Sequence, residues 1–195
     1  MLDVSEFVSK AHKRAEDQLY PLIFGTERKR LSFEETLFHT GSLGDTCDGS
    51  LAIDVIVHLE GLPIWMKAPL SFSFQERFRR KQYAHLQDLT ITEWNLGSGL
   101  PSELYKIVAQ YFLYAYYDDE QDQFLDAVNV ITAPLVRLLA DRKIMCEPHQ
   151  NARKQSFISI PFQVLQNNNL LTLWISRDYR IAPEIAYLQS KLNLL

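Results

Sequence analysis

Residues 48–88, DGSLAIDVIVHLEGLPIWMKAPLSFSFQERFRRKQYAHLQD, decide how the rest of the chain is read. Residues 51–59 are apolar and β-branched (Ile53, Val55, Ile56, Val57) and predict a strand. The pair Glu60-Gly61 suits the positive φ of a tight turn, and Pro63 opens a return run over 64–68. Residues 75–87 then predict a helix, with Phe78, Gln82 or Tyr83, and Leu86 on one side. Its other side carries Arg77, Arg79, Arg80 and Lys81. Two charged residues, Asp54 and Lys67, intrude on the apolar hairpin. A charge on a buried strand costs several kcal/mol unless a partner or metal compensates it, so this pair is where chemistry is sought.

Upstream, residues 3–23 predict an amphipathic helix. Val4, Phe7, Val8, Ala11, Ala15, Leu19 and Leu22 recur at three- and four-residue spacings. Asp3 or Ser5 caps it, and Pro21 and Gly25 mark its end. Glu16 lies on the flank of the apolar stripe. Residues 33–40 form a first strand, and the glycine-rich 41–49 forms a loop whose Asp45 and Asp48 suit turns. Downstream, 88–94 alternates as a strand. A right-handed crossover through the basic helix makes it parallel to the hairpin's return strand. Ser102 caps a short helix, 110–117 and 124–131 pair as a hairpin, and Pro134 opens a helix to 141. Short strands follow at 157–162 and 170–175, and Pro183 starts a last helix over 184–194. The aromatic run from Tyr111 to Tyr117 reads either as the edge of a homodimer or as buried sheet. The fold class is therefore α/β, or α+β: one domain with a mixed central sheet flanked by helices.

Asp54, then Lys67 thirteen residues on, on neighbouring strands with a helix after them, resembles the core of the PD-(D/E)xK nuclease superfamily. The resemblance implies a restriction endonuclease-like core over residues 1–117, with 118–195 as a hairpin and helical extension of the same domain. It implies a Mg²⁺ held by Asp54 and a second acid, with Lys67 orienting the attacking water. The second acid belongs at position 65, where this chain has Trp65. Some members of the family carry it on the following helix, which points to Glu76. Resolvase-like members carry an acid on the first helix, which points to Glu16. Such a site needs carboxylate oxygens for a hard cation, a metal-activated water and a nearby cation. Arg77, Arg79, Arg80 and Lys81 would then meet DNA phosphates.

Composition narrows the alternatives. The chain has 195 residues, enough for one sizeable core, with 47% apolar and 23% charged residues. A net charge of −4 argues against charge-driven coating of DNA but not against a local basic groove. Two cysteines without a CxxC pair favour a reducing compartment, the cytoplasm. No apolar leader and no apolar stretch of 18 residues occur, so no membrane partner is expected. The five histidines form no HExxH or Cys/His cluster, and GxSxG, GxxxxGK[ST] and GxGxxG are missing. Three readings follow: a Mg²⁺-dependent DNA endonuclease, impaired to the extent that Trp65 costs it a ligand; a nuclease-fold module without catalysis that binds or assembles; and an unrelated α+β protein.

Overall fold

The computed structural model describes residues 3–35, 52–60, 70–152, 154–176 and 180–181. In chain order these form α1 (Val4–Gln18), α2 (Tyr20–Phe24), β1 (Leu31–Glu35), β2 (Val55–Leu59), β3 (Leu70–Arg80), β4 (Asp88–Asn95) and β5 (Leu100–Pro101). Then come α3 (Glu103–Lys106), β6 (Tyr111–Asp118), β7 (Gln123–Ile131), α4 (Thr132–Ala140), β8 (Pro148–Gln150), β9 (Gln155–Pro161), α5 (Phe162–Asn167), β10 (Leu171–Ile175) and β11 (Arg180–Ile181). No described helix is long and apolar enough to cross a membrane.

β6 sets the layers. Side chains on a strand alternate between faces, and here both faces are apolar. Phe112, Tyr114 and Tyr116 share a core with Leu89 and Ile91 of β4 and Ile158 and Ile160 of β9. Leu113 and Ala115 share the opposite core with Ala15, Leu19, Tyr20 and Ile23 of the first two helices. A strand buried on both sides belongs in the middle of a sheet. The main sheet runs β1-β2-β3-β6-β7-β10-β11, and a second sheet runs β5-β4-β9-β8. The architecture is thus helices, mixed sheet, then a smaller sheet with α4 and α5, which bears out the mixed α/β expectation. β6 pairs with β3 on one side and β7 on the other, so the aromatic run is buried sheet and not a dimer edge.

α1 forms where its periodicity predicts. Asp3 and Glu6 make a reciprocal capping box, and Gly25 closes α2 in the left-handed region at φ 55°. Among the described strands of the main sheet, only β3 and β6 run parallel. A parallel pair needs a crossover, and residues 81–110 supply it.

Three expectations are corrected. Residues 75–87 are not a helix: β3 runs to Arg80, followed by a 3₁₀ segment Lys81–Leu86. Phe72, Phe74 and Phe78 alternate toward the α1–α2 core, whereas Tyr83 and Leu86, which carried the helical spacing, are 38% and 47% exposed. Burial of a phenylalanine row outweighs a helical stripe that buries nothing. Second, the strand paired antiparallel with β2 is Leu70–Arg80, later in the chain than the expected return run, with Leu59 opposite Leu70. Third, β4 is not the parallel neighbour of the hairpin. It pairs antiparallel with β9 in the second sheet, with Leu89 and Ile91 set against the aromatics of β6. The expected run 64–68, the loop 41–49, the strand residues past Glu35 and the helix 184–194 lie outside the described residues.

Candidate acid pocket beneath the first helix

Asp54 stands just before β2. Its backbone N–H donates to the Phe74 carbonyl at 2.8 Å, which continues the β2–β3 ladder by one rung. Its side chain is only 4% exposed. Asp54 Oδ2 accepts from the Glu76 backbone N–H at 2.6 Å and from Gln75 Nε2 at 2.7 Å. Both donors are charge-assisted partners of a buried carboxylate, which offset its desolvation.

Glu76 lies on β3, on the face turned to the helices. Its carboxylate is also 4% exposed. Oε1 accepts the Tyr20 hydroxyl at 2.6 Å, and Oε2 meets His12 Nδ1 at 2.5 Å. The other ring nitrogen, His12 Nε2, lies 3.6 Å from Glu16 Oε1, and Arg28 donates to Glu16 Oε2. Arg28 also stacks on the Phe33 ring, 4.4 Å from its centroid. Burial pushes the Tyr20 phenol well above the tyrosine range, and the neighbouring Glu76 charge adds to it. The phenol therefore keeps its proton and donates it.

Sequence reasoning selected Asp54, Glu76 and Glu16, and the fold brings all three together from three separate elements. Glu76 arrives there from a strand, not from a helix. Lys67 and Trp65 lie outside the described residues. Reading the sequence passed over His12, Tyr20 and Arg28. A signal for the first two existed. His12, Glu16 and Tyr20 are spaced by four, which lines up polar groups on or beside the apolar stripe of the amphipathic segment 3–23.

The basic run does not form one face. On a strand its members alternate. Arg77 turns to the second sheet and pairs with Glu103 at 2.6 Å. Arg79 donates to the Tyr114 hydroxyl at 3.3 Å and stacks on Tyr83. Arg80 turns the other way, to Asp119 at 3.5 Å and the Phe7 ring. Lys81 reaches Asp118 at 3.2 Å and also Glu120. The expected helical basic surface is thus replaced by four cations divided between two faces, each beside an acid or an aromatic ring.

Mg²⁺ asks for several oxygens turned toward one point, with room for water. Here Asp54 Oδ2 and both oxygens of Glu76 and Glu16 are turned to protein donors. Among the described residues no three His, Cys, Asp or Glu side chains are grouped to hold a metal ion. As arranged, the pocket does not fit the cation that the resemblance implies. A separate cavity of about 480 Å³ lies on the side of the second sheet, lined by Glu93, Tyr105, Leu139, Arg142 and Cys146 among others. It has one acid and shares no residue with the pocket under α1. The sequence matches no family model and no curated protein, and the structure matches no solved structure.

Proposed function

We propose that this chain is a restriction endonuclease-like protein that acts on DNA phosphodiesters. Asp54, Glu76 and Glu16 form its acidic centre, and they are the acids that would hold the Mg²⁺ the resemblance implies. The observation that carries this reading is that Asp54, just before β2, Glu76 of β3 and Glu16 of α1 gather around Tyr20 and His12, the first two buried and Glu16 partly exposed. Burying several carboxylates together is costly, and chains that keep such groups commonly use them. The order α1, β1–β2–β3 meander and then a strand parallel to β3 adds support, because the resemblance asks for a parallel strand after the hairpin. The chain's own residues have definable tasks. Asp54 holds the backbone of Glu76, Tyr20 holds one of its carboxylate oxygens, and the resemblance assigns orientation of water to Lys67.

A second reading, a nuclease-fold module without catalysis, is favoured by a specific feature. Each acid is already held by His12, Tyr20, Gln75 or Arg28, and each cation of the 77–81 run has an internal partner.

Incubation with plasmid and branched DNA plus Mg²⁺ or Mn²⁺ separates the two. Cleavage is expected, and Asp54→Ala and Glu76→Gln should each lower it by roughly 100-fold or more, the scale of losing one electrostatic catalytic group. Binding without cleavage selects the module. Cleavage that survives both substitutions, or neither binding nor cleavage, overturns the assignment.

A further inference from the structure

We propose that the cavity of about 480 Å³ on the side of the second sheet binds a small molecule with an apolar body, an ammonium at one end and a carboxylate at the other, the chemistry of a short apolar peptide with free termini. The cavity shares no residue with the acidic centre beneath α1. Its volume lies in the ordinary range of ligand sites, roughly 300–1,000 Å³. Its walls are built in advance. Leu104 of α3, Leu139 of α4 and Ile158 of β9 line it together with Ile144, and all four pack on the core between the two sheets. Tyr105 and Met145 line it as well and are exposed, so the cavity is open to solvent. An open apolar cavity on a packed core suits an apolar body.

Two charged side chains in the lining give the ligand its ends. Glu93 of β4 is half-buried, and its Oε2 accepts the Ser156 hydroxyl at 2.9 Å. Among the described residues no cation pairs with it. Burial, then the Glu93 charge, push up the thiol of Cys146, another lining residue, so the carboxylate lies on the cavity side. Arg142 stands two residues after α4. Its neighbour Asp141 is already engaged by Arg137 at 4.0 Å and by Lys143 at 3.5 Å, and Arg142 has no ion pair among the described residues. Glu93 and Arg142 thus line one cavity without pairing with each other. A partly buried charge without a counter-charge gains from a ligand group of opposite sign. Because the two stay apart, the ligand's charges have to sit apart too. A peptide provides that separation, whereas a free amino acid carries both groups on one carbon.

The probe is leucyl-phenylalanine, titrated into the whole protein by calorimetry beside its N-acetylated and C-amidated forms and free phenylalanine. The free dipeptide should bind most tightly. Acetylation, which removes the charge facing half-buried Glu93, should weaken it about tenfold, and amidation about two- to fivefold, because Arg142 is exposed. In Glu93→Gln acetylation should no longer matter. In Arg142→Asn, which suits that residue's left-handed φ of 55°, amidation should no longer matter. Ala140→Trp, which fills the cavity from an exposed position of α4, should abolish binding, and Ala140→Phe serves if that variant does not fold. Bound dipeptide should also slow alkylation of Cys146, read by mass spectrometry of the digested protein. The wild-type comparisons need no variant. If the dipeptide does not bind, leaves Cys146 as reactive as before, or binds no more tightly than phenylalanine, the proposal is wrong. An acetylation effect that persists in Glu93→Gln overturns the role given to that carboxylate and the proposal with it.

Discussion

Tyr116 is a fully buried phenol whose hydroxyl donates to Asp88, to Oδ1 at 2.7 Å and to the carbonyl at 2.9 Å. Ser159 holds the other oxygen of that carboxylate. Burial, then the neighbouring Tyr114 and Asp88, push the Tyr116 phenol above the tyrosine range. The sign of the consequence follows from linkage. In the unfolded chain the phenol loses its proton near pH 10, while the folded chain keeps it. Above about pH 10 the native state holds more protons, so stability falls as pH rises; below it neither state titrates there and nothing is lost. Urea unfolding from pH 8 to 11 should show this decline, and Tyr116→Phe should make it shallower, with the share from the buried Tyr20 phenol remaining. At pH 7 the same substitution should cost about 1–3 kcal/mol, because Asp88 Oδ1 loses its buried donor. An unchanged slope above pH 10 would refute the assignment. At this scale the acids of the pocket were legible because charge on an apolar strand or helix flank stands out. His12 and Tyr20 carried only the weaker signal of their spacing of four with Glu16. A lone histidine and a tyrosine in an apolar stripe look like filler until the strand carrying Glu76 is laid across them.

α1 is the element that makes the pocket, because it carries His12 and Glu16 over β3 with Phe7, Ala11 and Ala15 buried beneath it. Its N-terminus is held by Asp3 Oδ1, which accepts the Glu6 N–H at 2.9 Å, and by Glu6, which returns a bond to the Asp3 N–H at 3.4 Å. Asp3→Ala should lower unfolding free energy by about 1 kcal/mol, and Asp3→Ser should restore most of it. Denaturation midpoints of the three proteins decide the matter, and equal midpoints would mean that the cap is redundant. This helix was readable from 3.6-residue spacing and a cap because both signals are local. Residues 75–87 were misread because two periods overlap there. Phe78 and Leu86 suit a helix, Phe72, Phe74 and Phe78 suit a strand, and only the core behind Phe74 chooses between them. The destination of β4 was out of reach for a further reason. Its register is set by β9, a partner far along the chain, and alternation within 88–94 is the same whichever sheet receives it.

For the whole molecule the question is what joins the two sheets besides their apolar core. Arg77, on β3 of the main sheet, reaches across to Glu103 Oε2 of α3 at 2.6 Å and to the Thr90 carbonyl of β4, in the second sheet, at 3.1 Å. Glu103 also accepts the Thr92 N–H at 3.1 Å. Burial raises the Glu103 carboxyl, and Arg77 and the Thr92 N–H act against it. A pair of this kind adds little over apolar packing, yet removing one member strands the other without water. Arg77→Ala should therefore cost about 3 kcal/mol or more in unfolding free energy, while Arg77→Met with Glu103→Gln should recover most of that loss. The sequence reading placed Arg77 on DNA, and the two roles separate in one experiment. A residue on a phosphate lowers the salt dependence of DNA binding by about one ion when it is removed and leaves the fold nearly as stable. A residue between the sheets does the reverse. Denaturant unfolding of Arg77→Ala beside a salt titration of its DNA binding therefore distinguishes them. A stability change under about 0.5 kcal/mol, the range of ordinary surface substitutions, with a shallower salt slope would return Arg77 to the nucleic acid.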